Sequence, residues 1–140
     1  MTNLFRASLV TSVIIFVFYY WMPSFGMYSG EFAELRQWDG WDAALPPLPT
    51  LNVALFVASV VVPILMYFFI PWSRAAFLLL AVCYCLLSLG WGVRISAPLE
   101  NFLTQVVAML NGAILAMAYF SPISDRFVKA RAKSEGDPAS

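Results

Sequence analysis

Histidine is absent from this chain of 140 residues, and only 11% of its residues are charged. The side chain that most often serves as a general base or a metal ligand is therefore missing. The sequence also lacks a glycine-rich phosphate loop, a Ser/His or Cys/His pair and a helix with paired carboxylates. These absences predict that the protein is not an enzyme and that it holds neither a cofactor nor a metal.

Cysteine is scarce too, and the basic residues form no extended face. Cys83 and Cys85 lie two residues apart in an apolar run, where a helix would point them about 200° from each other. A disulfide between them is thereby excluded, and we interpret both as small packing residues. Eight basic and eight acidic residues give zero net charge, which argues against a nucleic-acid partner.

Apolar residues dominate what is present, at 61% of the chain. A soluble core of this size could not hide that much apolar surface. Four apolar runs are each long enough to cross a hydrocarbon layer of roughly 30 Å as a helix. They lie at about residues 4–22, 51–70, 75–95 and 101–120. We therefore predict an all-α integral membrane protein, a four-transmembrane-helix bundle, with residues 1–128 as one membrane domain.

The first run also has two of the three parts of a signal peptide, a basic residue, Arg6, and an apolar stretch. Its bulky aromatic residues and the lack of an Ala-x-Ala cleavage site argue against that alternative. We predict that this run is an uncleaved first span.

Residues 23–50 form the predicted external loop, in which apolar residues recur at helical spacing. The spacing predicts a short amphipathic helix, and Trp and Tyr side chains favour a position in the membrane interface. The residues of its apolar face, with the tryptophan that follows it, are Tyr28, Phe32, Leu35, Trp38 and Trp41.

Four acidic residues of the same loop offer oxygen ligands that a divalent cation could use. They are Glu31, Glu34, Asp39 and Asp42. Their spacing matches no calcium-binding loop, and we interpret them as a solvated acidic face.

Small and polar residues of the last predicted span recur every three or four positions and so fall on one stripe of the helix. They are Asn101, Thr104, Gln105, Ala108, Asn111, Gly112 and Ala116. We expect this stripe to face the bundle, because small residues allow close helix packing and unpaired amides are costly in hydrocarbon. Gln105 and Asn111 are predicted to be hydrogen-bonded packing residues rather than a transport site. The expected partners of Asn111 are the hydroxyls of Thr11, Ser59 or Ser88.

The third predicted span carries a second ridge of small residues, at Ala81, Cys85, Ser88 and Gly92. We expect this ridge to pack closely against Gly112 and its neighbours on the last span. Replacing Gly112 by leucine would then force the two helices apart.

Pro63 lies inside the second predicted span. It removes one backbone hydrogen bond and bends the helix, which membrane helices tolerate when a neighbour such as the Asn111 amide satisfies the freed carbonyl. We interpret Pro63 as a structural kink, with a gating hinge as the alternative.

Arg94 and Glu100 flank the short turn before the last span, close enough to pair. We interpret them as an arginine that extends to the headgroups and a glutamate stabilised at a helix N-terminus. The alternative is a proton or anion site, which would require both charges to be drawn into the bundle.

Basic residues set the predicted orientation, because cytoplasmic loops carry the excess of Lys and Arg. Threading four spans in order leaves Arg36 and Arg94 on one side and puts the remaining bases on the other. The latter are Arg6, Arg74, Arg126, Lys129, Arg131 and Lys133. Both termini are therefore predicted to be cytoplasmic, with residues 129–140 as a basic, disordered tail whose bases rest on anionic lipid. Compactness and the lack of sorting signals favour a bacterial inner membrane.

Three classes of function fit a small multi-pass membrane protein without reactive residues. The first is a structural or accessory subunit that binds other membrane proteins. The second is an oligomeric small transporter or channel, which needs several copies because one bundle offers little path for ions. The third binds lipid or another apolar ligand, with the aromatic loop as a lid. We favour the first, with the bilayer and another membrane protein or a second copy as partners.

Overall fold

The protein is all-helical in the computed structural model, which describes residues 1–26, 30–44 and 48–128. Its helices are α1 (Thr2–Trp21), α2 (Gly30–Leu35), α3 (Pro49–Tyr67), α4 (Ser73–Ser88) and α5 (Pro98–Phe120). Short 3-10 turns follow α1 at Met22–Phe25 and α2 at Arg36–Trp38, and residues 124–128 are again helical. No strand occurs in these three described stretches, so the predicted all-α class is confirmed.

Three helical segments are long and apolar enough to cross a membrane: Thr2–Phe25, Pro49–Tyr67 and Pro98–Phe120. Prolines stand at the first turn of α3 and of α5, where the missing N–H has no intrahelical acceptor to lose. These bounds lie close to the first, second and fourth spans that the apolar runs predict. An integral membrane protein with a helical bundle is consistent with this architecture.

α4 is shorter than the third predicted span, 75–95. Its 16 residues extend about 24 Å, less than the roughly 30 Å of a hydrocarbon layer. The helix ends at Ser88 because the chain turns at residues 89–92 and then runs extended, with the Val93 N–H donating to the Trp41 carbonyl at 2.9 Å. Length and composition thus support three spans, and the fourth stays a prediction.

Gly92 makes this turn possible. Its φ of 71° lies in the left-handed region that favours glycine. A Cβ at this position would overlap the backbone of Trp41 and Ala43. The prediction that Gly92 belongs to a ridge packed against the last span is therefore wrong, since Gly92 lies against the external loop.

α1 is the central helix, because it packs against both α5 and α3. α3 also packs against α4, whereas α4 touches α5 more sparingly. The buried core lies at one end of the bundle, where Phe5 stacks on Phe69 at 5.9 Å between ring centres and Phe127 meets Phe69 edge-on at 5.2 Å. We call this the Phe69 end. The starts of α1 and α4 and the ends of α3 and α5 meet there, so the helices alternate in direction.

The opposite end contains Tyr19 from the last turns of α1, Arg94 from the turn after α4, and Glu100 from the first turn of α5. We call it the Arg94 end. Part of the loop between α1 and α3, which the sequence predicts to be external, lies over it, because Gly40 and Trp41 are hydrogen-bonded through their backbone to Val93.

α3 ends at the Phe69 end in a Schellman motif, in which two N–H groups satisfy the last carbonyls of the helix. The Phe69 N–H donates to the Met66 carbonyl at 3.0 Å, and the Ile70 N–H donates to the Leu65 carbonyl at 3.2 Å. Phe69 occupies the position at which glycine is usual, with a φ of 58°. A left-handed conformation costs a non-glycine residue about 1–2 kcal/mol. Burial of the Phe69 ring, which is 8% exposed, offsets this cost.

Candidate functional site

One side of α5 carries small and polar residues that are exposed to the surroundings of the chain. They are Asn101, Gln105, Ala108, Gly112 and Ala116, which we call the α5 face. Steps of three and four residues align them along the helix. A Cβ added to Gly112 would meet no atom within 4 Å, so the surface is open at its centre.

The stripe that we expected to face the bundle is therefore split between two sides of α5. Ile114 and Ala118 are fully buried on the packed side, whereas Gly112 lies on the α5 face. The expected contact of Gly112 with α4 is wrong within one chain, because α5 packs mainly against α1. Lipid and protein core are both apolar, so the polarity of a membrane helix does not by itself identify its packed side.

The ridge predicted on α4 is also exposed in part. Cys85 and Ser88 lie on its outer side, and the Ser88 hydroxyl donates to the Cys85 carbonyl at 2.7 Å. Cys83 is half-buried and, like Cys85, is a free thiol. The interpretation of Cys85 as a packing residue is thus wrong within the single chain.

Asn111 is held inside the bundle by a hydrogen bond between helices. The Ser12 hydroxyl of α1 donates to the Asn111 side-chain oxygen at 2.8 Å, and Ser12 is only 5% exposed. The expected partners Thr11, Ser59 and Ser88 do not provide this bond. Thr11 is exposed, although it lies next to Ser12 in the chain.

Gln105 behaves differently from Asn111, although both are carboxamides of α5. Gln105 is exposed, and its side-chain nitrogen lies 3.5 Å from the Asn101 oxygen one turn earlier. The expectation that Gln105 faces the bundle is therefore wrong, because it belongs to the α5 face.

Pro63 is buried in the interior of α3 and lines an apolar groove between α1 and α3. The groove has a volume of about 240 Å³, and Val10, Ile14 and Tyr67 contribute to its walls. A second apolar groove of about 420 Å³ continues along α1 from Ile14 toward Phe25. Pro63 thus faces an apolar surface that suits a hydrocarbon chain.

Arg94 pairs with a tyrosine instead of with Glu100. One guanidinium nitrogen of Arg94 donates to the Tyr19 hydroxyl at 3.0 Å, and the guanidinium carbon lies 5.3 Å from a ring centre of Trp91. Arg94 and Glu100, which are close enough in sequence to pair, thus have different partners, and Glu100 lies in the first turn of α5 as we interpreted it.

Glu100 is 4% exposed and meets a base from the external loop. Its carboxylate lies 3.6 Å from Arg36, and its second oxygen accepts a hydrogen bond from the Ala97 N–H at 2.9 Å. The second contact caps α5, as a glutamate in the third helical position commonly does. Glu100 therefore ties the loop to the start of α5.

The aromatic residues of the external loop are largely on its surface. Trp38 and Trp41 are both exposed, with ring centres 5.0 Å apart, and Phe32 is half-buried. Tyr28 lies outside the described residues. An exposed aromatic pair at the end of a bundle suits the membrane interface.

The acidic residues of the loop form no group that could hold a metal in the described part of the chain. Asp39 instead accepts a hydrogen bond from the Ile95 N–H at 3.1 Å. The Gly40 N–H donates to the Val93 carbonyl at 2.8 Å beside it. These bonds hold the loop against the turn that precedes α5.

Three arginines cluster at the Phe69 end, and sequence reasoning missed their convergence. The guanidinium carbons of Arg6 and Arg126 lie 5.4 Å and 5.6 Å from the centre of the Phe69 ring. That of Arg74 lies 5.8 Å from the Phe127 ring. The sequence did contain a signal for this cluster. Arg6 follows Phe5 and Arg126 precedes Phe127, and the excess of basic residues predicts that both arginines lie on the same side of the membrane.

Comparisons with protein-family models, with curated proteins and with solved structures find no match for this chain. Two surfaces of the described residues have a defined chemistry. The α5 face is an exposed stripe of small and polar side chains, and the arginines of the Phe69 end form a cationic surface.

Proposed function

We propose that this protein is an accessory subunit of a bacterial inner membrane and that it binds another membrane protein through the α5 face. The exposure of that face carries the proposal. Small side chains let a second helix approach closely, and interfaces between membrane helices are enriched in them. Asn101 and Gln105 add amide groups, which are costly when they lie against hydrocarbon without a partner.

Polar groups inside the bundle favour this role over that of an ion path through one chain. The Ser12 hydroxyl binds Asn111, and the Ser59 hydroxyl lies 3.3 Å from the Tyr84 hydroxyl. Both bonds join neighbouring helices and occupy groups that a permeating ion would need. A scaffold that presents one open helix face accounts for these contacts.

In this proposal α4 is the fourth span, and both termini are cytoplasmic. Trp72 and Trp91 flank α4, where aromatic residues commonly mark the two membrane interfaces. The described bases agree with this orientation, because Arg6, Arg74 and Arg126 share the Phe69 end.

Site-directed photo-crosslinking in native membranes tests the proposal. Cys83 and Cys85 are first replaced by alanine, and a benzophenone maleimide is then attached to Gly112→Cys or to Val61→Cys, an exposed control on α3. We expect an adduct with a different membrane protein from position 112 and none from position 61. An adduct of two copies would favour the oligomeric transporter, and equal yields at both positions, or no adduct, would refute the accessory role.

A matched pair of substitutions tests the packing itself. Ala116→Leu adds bulk to the α5 face, whereas Ala54→Leu adds the same bulk to an exposed position of α3. We expect only Ala116→Leu to abolish co-purification of the partner, with the melting midpoint of both variants unchanged. Loss of the partner in both variants, or in neither, would contradict docking at the α5 face.

A further inference from the structure

The arginines of the Phe69 end approach it from three different segments. Arg6 comes from the start of α1, Arg74 from the start of α4 and Arg126 from helical residues 124–128. The Arg6 guanidinium also covers the Tyr67 ring at 4.6 Å. The rings attract these cations, but guanidinium N–H groups still need hydrogen-bond acceptors.

No acceptor for these three side chains comes from the described residues. None of them forms an ion pair there, and the buried Nε of Arg6 has no hydrogen-bond partner. Asp125 is exposed and forms no ion pair with a described base. Residues 129–140 contain three bases and two acids, so by composition they add positive charge. Among the described residues, the positive charge of the Phe69 end is therefore not balanced by an ion pair, and the end can accept an anionic ligand.

An apolar groove begins beside these charges. Tyr67 belongs to both surfaces, because its ring lies under the Arg6 guanidinium and also forms a wall of the groove between α1 and α3. Val10, Ile14 and Pro63 continue the groove away from the arginines. A cationic surface joined to an apolar groove fits a ligand with an anionic head and a hydrocarbon chain.

We propose that the Phe69 end binds an anionic phospholipid, with its phosphate at Arg6 and Arg126 and one acyl chain in the groove between α1 and α3. Arginine pairs well with phosphate, because its planar fork donates two parallel hydrogen bonds. Basic pockets at the cytoplasmic ends of membrane helices commonly bind such headgroups. The groove selects a lipid over free phosphate. This site lies apart from the α5 face and does not depend on the accessory role, although its cytoplasmic position rests on the orientation proposed with that role.

The strained residue of this end has a role in the site. Phe69 keeps a left-handed backbone in a position that glycine usually fills, and its ring supports two guanidinium groups. A glycine there would relax the backbone but remove the surface on which Arg6 and Arg126 rest. The aromatic ring therefore positions the charges for the phosphate.

Native mass spectrometry of the purified full chain tests the lipid. The protein is delipidated in mild detergent and mixed with phosphatidylglycerol or with phosphatidylcholine of the same acyl chains. We expect retention of phosphatidylglycerol to exceed that of phosphatidylcholine by about tenfold, the scale of one well-formed charged contact. Equal retention of the two lipids would overturn the proposal.

Substitutions at the two ends locate the site. Arg6→Gln and Arg126→Gln should each lower phosphatidylglycerol retention several-fold, and Arg94→Gln at the other end should leave it unchanged. Arg126 is exposed, so its variant keeps the test decisive if Arg6→Gln does not fold. Unchanged retention in Arg126→Gln, or an equal loss in Arg94→Gln, would overturn the assignment to the Phe69 end.

Filling the groove separates a lipid from a simple anion. Ile14→Trp adds bulk to the groove without changing charge and should lower phosphatidylglycerol retention several-fold. Inorganic phosphate should neither displace the lipid nor raise the melting midpoint as the lipid does. Full retention in Ile14→Trp, or displacement by inorganic phosphate, would show that the arginines take phosphate alone.

Discussion

At the Arg94 end of the bundle, arginines have polar partners within the chain. Arg94 donates to the Tyr19 hydroxyl at 3.0 Å, and Arg36 lies 3.6 Å from the buried carboxylate of Glu100. At the Phe69 end, Arg6 and Arg126 rest on the Phe69 ring, and neither forms an ion pair within the described residues.

This difference bears on what a charge does in a small membrane bundle. A guanidinium near hydrocarbon needs acceptors, because an unsatisfied charge is costly there. When the acceptor belongs to the same chain, the arginine joins two segments and stabilises the fold. When it belongs to a ligand, removal of the arginine weakens binding and leaves the fold intact. The same substitution should therefore have different effects at the two ends.

The largest effect on stability is expected from Gly92→Ala at the Arg94 end. The new Cβ would overlap the backbone of Trp41 and Ala43. It would also belong to a residue in the left-handed backbone conformation, which is strained for alanine. We expect a loss of about 3 kcal/mol in the free energy of unfolding, measured by denaturant titration in detergent.

Gly112→Ala is the matched control for that substitution. Gly112 has open space around its Cβ position and lies in the interior of α5, so its variant should lose no stability and should gain up to about 1 kcal/mol, because a helix favours alanine over glycine. Similar losses in the two variants would show that the contact between loop and turn does not hold the Arg94 end together.

Glu100→Gln should have the next largest effect. It leaves Arg36 without its carboxylate and removes a negative charge from the start of α5. Because Arg36 is partly exposed, we expect a loss of about 1–2 kcal/mol rather than the full cost of a broken buried pair. Equilibrium unfolding measures it, with Glu31→Gln as an exposed control that should be neutral. If Glu100→Gln left the unfolding free energy unchanged, the distinction between the two ends would be lost.

Asn111→Leu should weaken the fold by about 1 kcal/mol, because the Ser12 hydroxyl loses its acceptor between α1 and α5. Gln105→Leu removes the same functional group from the α5 face and should leave the stability of the single chain unchanged. The comparison is made by unfolding in detergent, away from any partner. A larger loss in Gln105→Leu would mean that the packed and open sides of α5 have been exchanged.

The smallest effect is expected from Arg126→Gln in lipid-free detergent. Arg126 is exposed and has no ion pair among the described residues, so the change should stay within about 0.5 kcal/mol. Arg36→Gln, the matched change at the Arg94 end, should cost about 1 kcal/mol because it removes the ion pair with the buried Glu100 carboxylate. Equal losses of unfolding free energy in Arg126→Gln and Arg36→Gln would contradict the distinction between arginines with an acceptor in the chain and arginines with an acceptor in a ligand.

Much of the helical framework could be predicted from composition and from runs of apolar residues. α1, α3 and α5 begin and end close to the predicted boundaries, because an apolar stretch of about twenty residues with at most one charge has few alternatives to a helix. The end of α4 could not be predicted in this way. It depends on Gly92 lying against Trp41, a contact between residues that are far apart in the chain.

The candidate site was predictable in part. The regular spacing of Gln105, Gly112 and Ala116 showed that they share one stripe of the helix, but it did not show that this stripe faces away from the bundle. In the same stripe Asn111 faces inward and binds Ser12. A turn of about 100° per residue separates Asn111 from Gly112, and only the packing of α5 on α1 decides which of them is enclosed.

By itself, the sequence determined that this protein is helical, apolar enough for a membrane and divided in charge between two sides, because these properties follow from residue type and local spacing. Only the tertiary structure decided which side chains contact each other. It joined Arg36 to Glu100 and Arg94 to Tyr19, and it gathered Arg6, Arg74 and Arg126 around the Phe69 end. Such contacts depend on how helices rotate about their axes. In an apolar membrane that rotation is set by side-chain packing between distant segments, which no local pattern records.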